Sequence, residues 1–289
     1  MRLNERPNRI KPLISVIIPT CHRNEDLGRC LDCLVPGVQL LDSASYEVIV
    51  SDDGRDTTAE AMIRERYPWV KWTQGPRRGP AANRNHGARL SNSEWLAFTD
   101  DDCLPSPGWL AAFVAGTPTA DVLEGLTRAD RERRSYAEEA PINMTGGYLW
   151  SCNFAIRKTV FEMIGGFDEN FPAPAMEDCD LRENLREAGI EFKFVRDAEL
   201  VHPWRAAKGW KFWERYLDSL LFFYQKHPDL RPQYVGWSFV MTGLRGFKNN
   251  VFHNFSCFGA SSLSHAFAHL IWHFWTALRS VCGTLEKFQ

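Results

Sequence analysis

The sequence predicts an α/β fold, a mostly parallel sheet flanked by helices. Two observations predict it. Short β-branched runs alternate with helix-period segments through the first hundred residues. Three of those runs end in polar or acidic clusters, so the clusters fall on one sheet edge.

Each element follows from its residues. Residues 13–19 (LISVIIP) read as a buried strand ended by proline. Residues 24–35 read as a helix, because Leu27, Cys30, Leu31 and Leu34 recur at helical spacing and Asn24 suits the N-cap. Residues 46–50 (YEVIV) form a second strand running into Ser51-Asp52-Asp53-Gly54. Thr57 to Glu60 reads as a capping box opening a second helix. Residues 69–73 give a third strand, 80–90 a helix, and 94–99 a fourth strand entering Asp100-Asp101-Asp102. Further on, 152–157 reads as a strand and 177–188 as a helix with acids in its first turn. Residues 191–195 and 198–202 read as two short strands, and 209–226 as a strongly aromatic amphipathic helix. The chain thus divides into a tail (1–12), an α/β domain (13–205) and a helical, aromatic-rich C-terminal extension (206–289).

Composition excludes several classes. The 289 residues carry 34 Lys+Arg against 36 Asp+Glu, a net charge of −2, and 44% are apolar. That is a globular balance, neither disordered nor a disulfide miniprotein. It also argues against nucleic acid as a partner, since phosphate backbones call for a basic surface. The N-terminus, MRLNERPNRIKP, lacks the apolar segment of a secretory signal, so a cytoplasmic chain with eight free cysteines is expected. Cys30 and Cys33 make a CxxC, but no second CxxC completes a zinc site, and both fit the leucine-bearing helix. Residues 256–278 hold no Asp, Glu, Lys or Arg, yet three His and several Ser make them weakly apolar for a membrane span.

In open α/β sheets, ligands sit outside the carboxyl ends of the strands. Pro19-Thr20, Asp52-Asp53 and Asp100-Asp101-Asp102 all lie there. Three consecutive carboxylates repel, and a cation or donors must compensate them. Alternate residues of an extended segment face the same way, so Asp100 and Asp102 are expected to share a site. Mg²⁺ or Mn²⁺ takes one or two carboxylates and completes its shell with phosphate oxygens and water. A carboxylate at Asp52-Asp53 can accept from a nucleobase N–H or a ribose hydroxyl. Glu177-Asp178 supplies either helix-opening acids or a general base. His202 can complete a Mn²⁺ site, and Arg205 or Lys208 can balance a diphosphate.

The segments SVIIPTCHR, EVIVSDDG, GPAANRNHGA, AFTDDDCLPSPGWL, SCNFAIRK, GGFDE and MEDCDLRENLREAG, in that order, resemble the family 2 glycosyltransferases of the GT-A fold over about residues 13–205. The resemblance implies a nucleotide-binding half (13–102) and an acceptor half (103–205). It implies that Pro19, Thr20 and Arg23 contact the nucleotide, that Asp53 pairs with the base, and that Arg84 and Asn85 line the nucleotide-sugar pocket. Asn83 stands where alanine is usual. Asp100-Asp101-Asp102 matches the DxD motif, with Asp100 near ribose or sugar and Asp102 on the metal. Gly166, Phe167 and Asp168, with Glu177, match the segment near donor sugar and acceptor. Asp178 matches the catalytic base and His202 a metal-completing position. The implied reaction is inverting transfer of one sugar from a nucleoside diphosphate, UDP being the commonest carrier, to a glycan or lipid-linked acceptor. The Gln-x-x-Arg-Trp motif of processive synthases is missing; Trp204-Arg205 runs in reverse order.

Beyond residue 205 the reading rests on pattern alone. His265, His269 and His273 fall on one helix face, read as a polar stripe. Phe267, Leu270, Ile271, Phe274 and Trp275, with Arg279 and Lys287 nearby, give the segment the look of an interfacial helix. Peripheral contact with the inner membrane face, packing on the core, and self-association are the alternatives. Two other functions compete with transfer. A catalytically inactive sugar-nucleotide-binding scaffold has no need of Asp178. A nucleotidyltransferase would show a Gly-rich loop after the first strand, where Pro19-Thr20-Cys21-His22-Arg23 has no glycine.

Overall fold

The computed structural model describes residues 11–135, 137–206, 209–230, 240–245, 267–268 and 270–278. In chain order the elements are β1 (Ile14–Thr20), α1 (Asn24–Cys33), β2 (Tyr46–Asp52), α2 (Glu60–Arg66), β3 (Lys71–Gln74), α3 (Pro80–Leu90), β4 (Trp95–Thr99), β5 (Leu104–Pro105), α4 (Trp109–Gly116), β6 (Val122–Ala129), β7 (Glu138–Glu139), β8 (Asn153–Arg157), α5 (Lys158–Met163), α6 (Glu177–Glu187), β9 (Phe192–His202), β10 (Arg205–Ala206) and α7 (Trp210–Lys226). They fall into two compact units. The first comprises residues up to Asp130, Pro141–Asn170 and Glu177–Pro203; the second comprises Arg131–Ala140, Phe171–Met176 and the chain from Trp204.

The first unit is built on an eight-stranded sheet of order β3-β2-β1-β4-β8-β6-β9-β5. β1 pairs in parallel with β2 and β4, and β2 with β3. β8 runs antiparallel between β4 and β6. Apolar alternation along the strands feeds two cores. Ile14, Val16 and Ile18 of β1 join Trp95 and Ala97 of β4 under Leu27 and Leu31 of α1 and Phe113 of α4. Ile17, Leu96 and Phe98 pack on the other side with Ala88 of α3, Phe161 of α5 and Leu181 and Leu185 of α6. Phe98, Phe154, Phe161 and Phe167 form a ring cluster there, with Phe98 stacked on Phe154 at 4.9 Å. α3 lies so close to the sheet that a Cβ on Gly87 would stand 2.7 Å from Ile17 Cγ2.

Three local expectations are corrected. Asn24 is not the cap of α1: Arg23 holds that position without a side-chain bond, and the Asn24 amide donates to Thr58 O at 3.1 Å. Thr57 to Glu60 forms no capping box. Asp52 accepts from Ala59 N at 2.6 Å, which satisfies the start of α2 from the neighbouring strand end. The two short strands at 191–195 and 198–202 are one strand, β9. Its register against β6 jumps from Gly125↔Val195 to Leu126↔Glu199. The Asn153 amide fills that break, donating to Leu126 O and Ala198 O and accepting from Trp109 Nε1. The CxxC lies on α1 as expected, with Cys30 buried and Cys33 half-buried, both free.

In the second unit, β7 pairs with β10 antiparallel. α7 packs Tyr216 by Met176, Ser219 on the Ala173 backbone and Phe222 on Phe171. Trp272 lies 5.2 Å from Trp213 of α7, and residues 270–278 are helical. His273 is buried, while Phe267, Ile271, Phe274 and Leu278 are exposed and Leu270 and Trp275 half-buried. His265 and His269 lie outside the described residues, so the histidine stripe does too. No helix among the described residues is long and apolar enough to cross a membrane.

Candidate active site

Parallel pairing of β1, β2 and β4 brings Thr20, Asp52-Asp53 and Asp100 to one edge. The acid cluster there is compensated mainly by two arginines. Arg23 Nη1 lies 2.8 Å from Asp101 Oδ1, and its Nη2 lies 2.7 Å from Asp102 Oδ2. Thr20 Oγ1 donates to Asp101 Oδ2 at 2.8 Å. Asp101 and Asp102 therefore share Arg23, while Asp100 turns to Arg84, whose Nη2 stands at 2.6 Å. Burial pushes the Asp101 carboxyl up to about 7, against the pull of Arg23 and Thr20.

Arg84 links two acid sets. It sits on α3 with its side chain 5% exposed, and its Nη1 is 3.4 Å from Glu177 Oε1 at the start of α6. Its guanidinium lies over the Phe167 ring at 5.5 Å. Burial opposes its charge, but Asp100 and Glu177 hold its pKa above the ordinary value. Glu177 is buried, and burial together with neighbouring Asp178 raises its carboxyl to about 7 although Arg84 works the other way. Asp178 is also raised, chiefly by burial, and its Oδ1 accepts from Cys179 N at 2.8 Å. Two adjacent carboxyls with raised pKa values titrate as a pair.

Four flanking side chains serve the backbone. Asn85 Oδ1 accepts from Phe167 N, and its Nδ2 donates to Phe167 O and Glu169, which fixes the Gly166-Phe167-Asp168 turn. Gly166 has φ +70, and a Cβ there would meet Asn85 Oδ1 at 2.7 Å. Asp168 Oδ1 accepts from Asn170 N. Asp53 accepts from Arg77 N and Gly79 N, closing the turn before α3. Asn83 donates to Thr20 O and Ser51 O, tying the ends of β1 and β2; that cross-link gives the polar residue its purpose here.

His202 ends β9 with no exposed surface. Its Nδ1 lies 2.9 Å from Pro203 O, so a neutral ring carries its hydrogen on Nδ1 and a lone pair on Nε2. That Nε2 makes no hydrogen bond among the described residues and stands 3.4 Å from Asp102 Oδ1. One ligand atom each from Asp102, Cys103 and His202 lies within 4.8 Å of the others. Burial drives the Cys103 thiol well above its ordinary value, leaving a carboxylate and an imidazole as donors. A carboxylate oxygen facing an imidazole lone pair suits Mn²⁺ or Mg²⁺. Arg205 belongs to the second unit, with its Nε 3.6 Å from Glu139 Oε1 in the β7–β10 pair. Lys208 lies outside the described residues.

Residue-type reasoning missed Arg84 as the bridge between the two acid sets. Its place on the sheet-facing side of a helix beginning at Gly79-Pro80 was the available signal.

Residues 15–121 match the family model described as glycosyl transferase family 2. A validoxylamine A glucosyltransferase of Streptomyces hygroscopicus subsp. jinggangensis is 28% identical, the match covering 81% of this chain and 65% of that protein. The glycosyltransferase AglE of Haloferax volcanii is 26% identical, covering 67% and 68%. This chain thus spans a little under two thirds of the validoxylamine enzyme's length. A mannosyltransferase from Pyrobaculum calidifontis, solved in complex with GDP-Man and Mn²⁺, has a TM-score of 0.57 at 22% identity, covering 96% of this chain and 76% of that one. S. aureus TarS has a TM-score of 0.55 at 19% identity, covering 83% and 44%. Both neighbours share the α/β architecture of the GT-A type.

Proposed function

The family match and the named relatives support a family 2 glycosyltransferase of GT-A type, and from that premise we propose that the protein transfers one sugar from a nucleoside-diphosphate sugar to an acceptor hydroxyl, with inversion and without processive elongation. The observation that carries this reading is the meeting of Asp100–Asp102 with Glu177-Asp178 through the buried Arg84. A leaving-group site and a base site then adjoin on one sheet edge.

Asp102 and His202 would hold Mn²⁺ or Mg²⁺. When bound, the ion supplies positive charge opposite a leaving diphosphate. Pro19, Thr20 and Arg23 border the nucleotide, and Asp53 keeps a second lone pair on each oxygen for a nucleobase N–H. Asp100 and Arg84 orient the ribose and sugar side, with Asn85 fixing the Gly166–Asp168 turn toward the same space. Asp178 accepts the proton of the attacking hydroxyl, and Glu177 shares its charge. One base and no covalent intermediate give a single displacement, hence inversion. The acceptor is a glycan or a lipid-linked alcohol, or a small molecule such as the validoxylamine A for which the Streptomyces relative is named. For residues 267–278 we propose surface contact, with the inner membrane face or a second copy, through Ile271, Phe274 and Leu278. An inactive scaffold would need no base.

The test is hydrolysis of UDP-glucose and GDP-mannose in Mn²⁺, with and without validoxylamine A. Metal-dependent release of nucleoside diphosphate from either donor, lost in Asp178→Asn with nucleotide affinity retained, supports the proposal. Full turnover by Asp178→Asn refutes the role of Asp178.

A further inference from the structure

Residues 143–150 (NMTGGYLW) form a loop whose aromatic rings the reaction so far leaves unused. We propose that Tyr148 and Trp150 are a stacking platform for a hydroxylated six-membered ring, a sugar or cyclitol, presented as the acceptor. Calling that ring the acceptor rests on the transfer reading above; the platform does not.

Position is the first argument. Thr99 faces Asn153 in the β4–β8 register, so residues 150–152 leave the sheet at the edge where Asp100–Asp102 leave β4. Cys103 and Cys152 are both buried in one core cluster, which places the end of this loop with the residue after Asp102. On the other side, Arg182 donates to Tyr148 O at 3.4 Å, and Arg182 stands one helical turn beyond Asp178 on α6. The loop therefore spans from the DxD acids to the helix of the proposed base.

Surface is the second. The Tyr148 and Trp150 rings are stacked, with centroids 5.4 Å apart and planes at 14°. Tyr148 is 44% exposed and Met144 42% exposed on the same loop. Apolar rings offered beside charged groups match the two faces of a pyranose or cyclitol, whose C–H face stacks while its hydroxyls reach polar partners.

Rigidity is the third. Glu124, 1% exposed, accepts from Asn143 Nδ2 at 2.8 Å, Gly147 N at 2.6 Å, Tyr148 N at 2.8 Å and Leu149 N. Gly146, Gly147 and Leu149 have φ of +83, +99 and +50, a backbone path that this buried carboxylate gathers into one conformation. A preorganised platform loses little entropy when a ligand lands on it.

The experiment is saturation-transfer NMR on the full chain with UDP and Mn²⁺, using methyl β-D-glucopyranoside and validoxylamine A as probes. The platform predicts transfer to the ring C–H protons of at least one probe, at least tenfold weaker in Tyr148→Ala and retained in Tyr148→Phe. No transfer to either probe, or equal transfer to wild type and Tyr148→Ala, overturns it. Ring binding without any binding of UDP or GDP would leave the platform standing and remove the transfer reading instead.

Discussion

Arg84→Met is the most informative single substitution, because the guanidinium it removes holds two carboxyl sets together. The Arg84 side chain is 5% exposed and stands 2.6 Å from Asp100 and 3.4 Å from Glu177. Removing one partner of such a buried pair costs about 3–5 kcal/mol, because the remaining charges are left uncompensated. The cost should depend on pH. Glu177 is already raised to about 7 in the folded chain, chiefly by burial, with Arg84 opposing the rise. Without Arg84 it goes higher, so at pH 5.5 the carboxyl is neutral and needs no cation. The loss at pH 8.5 should therefore exceed that at pH 5.5. Urea unfolding in EDTA, followed by tryptophan fluorescence at both pH values, measures it. A loss under about 1 kcal/mol at both pH values, or a larger loss at pH 5.5, refutes the bridge.

The same pair predicts activity and stability elsewhere. Asp178→Asn should lower kcat by about 10²–10⁴-fold, with nucleotide affinity within twofold by calorimetry. The acidic limb of kcat/KM against pH should lie above the ordinary carboxylate range, since both carboxyls are raised by burial and the pair must lose a proton before it can take one; initial rates from pH 5 to 9 check this. Between pH 4.5 and 7 the folded chain holds a proton on Glu177 that the unfolded chain has lost, so this group makes stability fall as pH rises. Glu177→Gln should flatten that fall in thermal melts across the window. Glu124→Gln places an NH₂ against loop N–H donors and should cost about 3 kcal/mol, read as a lowered urea midpoint.

The sheet was legible because its strands are fully buried: ISVIIP and WLAFT have no polar face to confuse their period. α3 was legible to its ends because Gly79-Pro80 punctuates its start. The caps were not, because long-range partners took over local roles: Asp52, a strand residue, caps α2. The break in β9 was misread as a gap between strands because Asn153, some forty residues earlier, repairs it. Of the site, the clustering of Thr20, Asp52-Asp53 and Asp100 follows from topology alone. The distribution of charge among them does not. Arg23 joins Asp101 to Asp102, and Arg84, which holds Asp100, reaches Glu177 93 residues further along the sequence, a meeting that only the packed α3 and α6 make visible. Likewise Glu124 reads as an ordinary strand acid until residues 143–149 fold over it.

The most direct test titrates UDP and GDP into the protein by calorimetry in Mn²⁺ and again in EDTA, with wild type and His202→Ala. The account predicts that at least one nucleotide binds wild type in Mn²⁺ and that its affinity falls at least tenfold on chelation, with His202→Ala already weakened in Mn²⁺. Equal affinity with and without the ion, or no binding of either nucleotide, would contradict it.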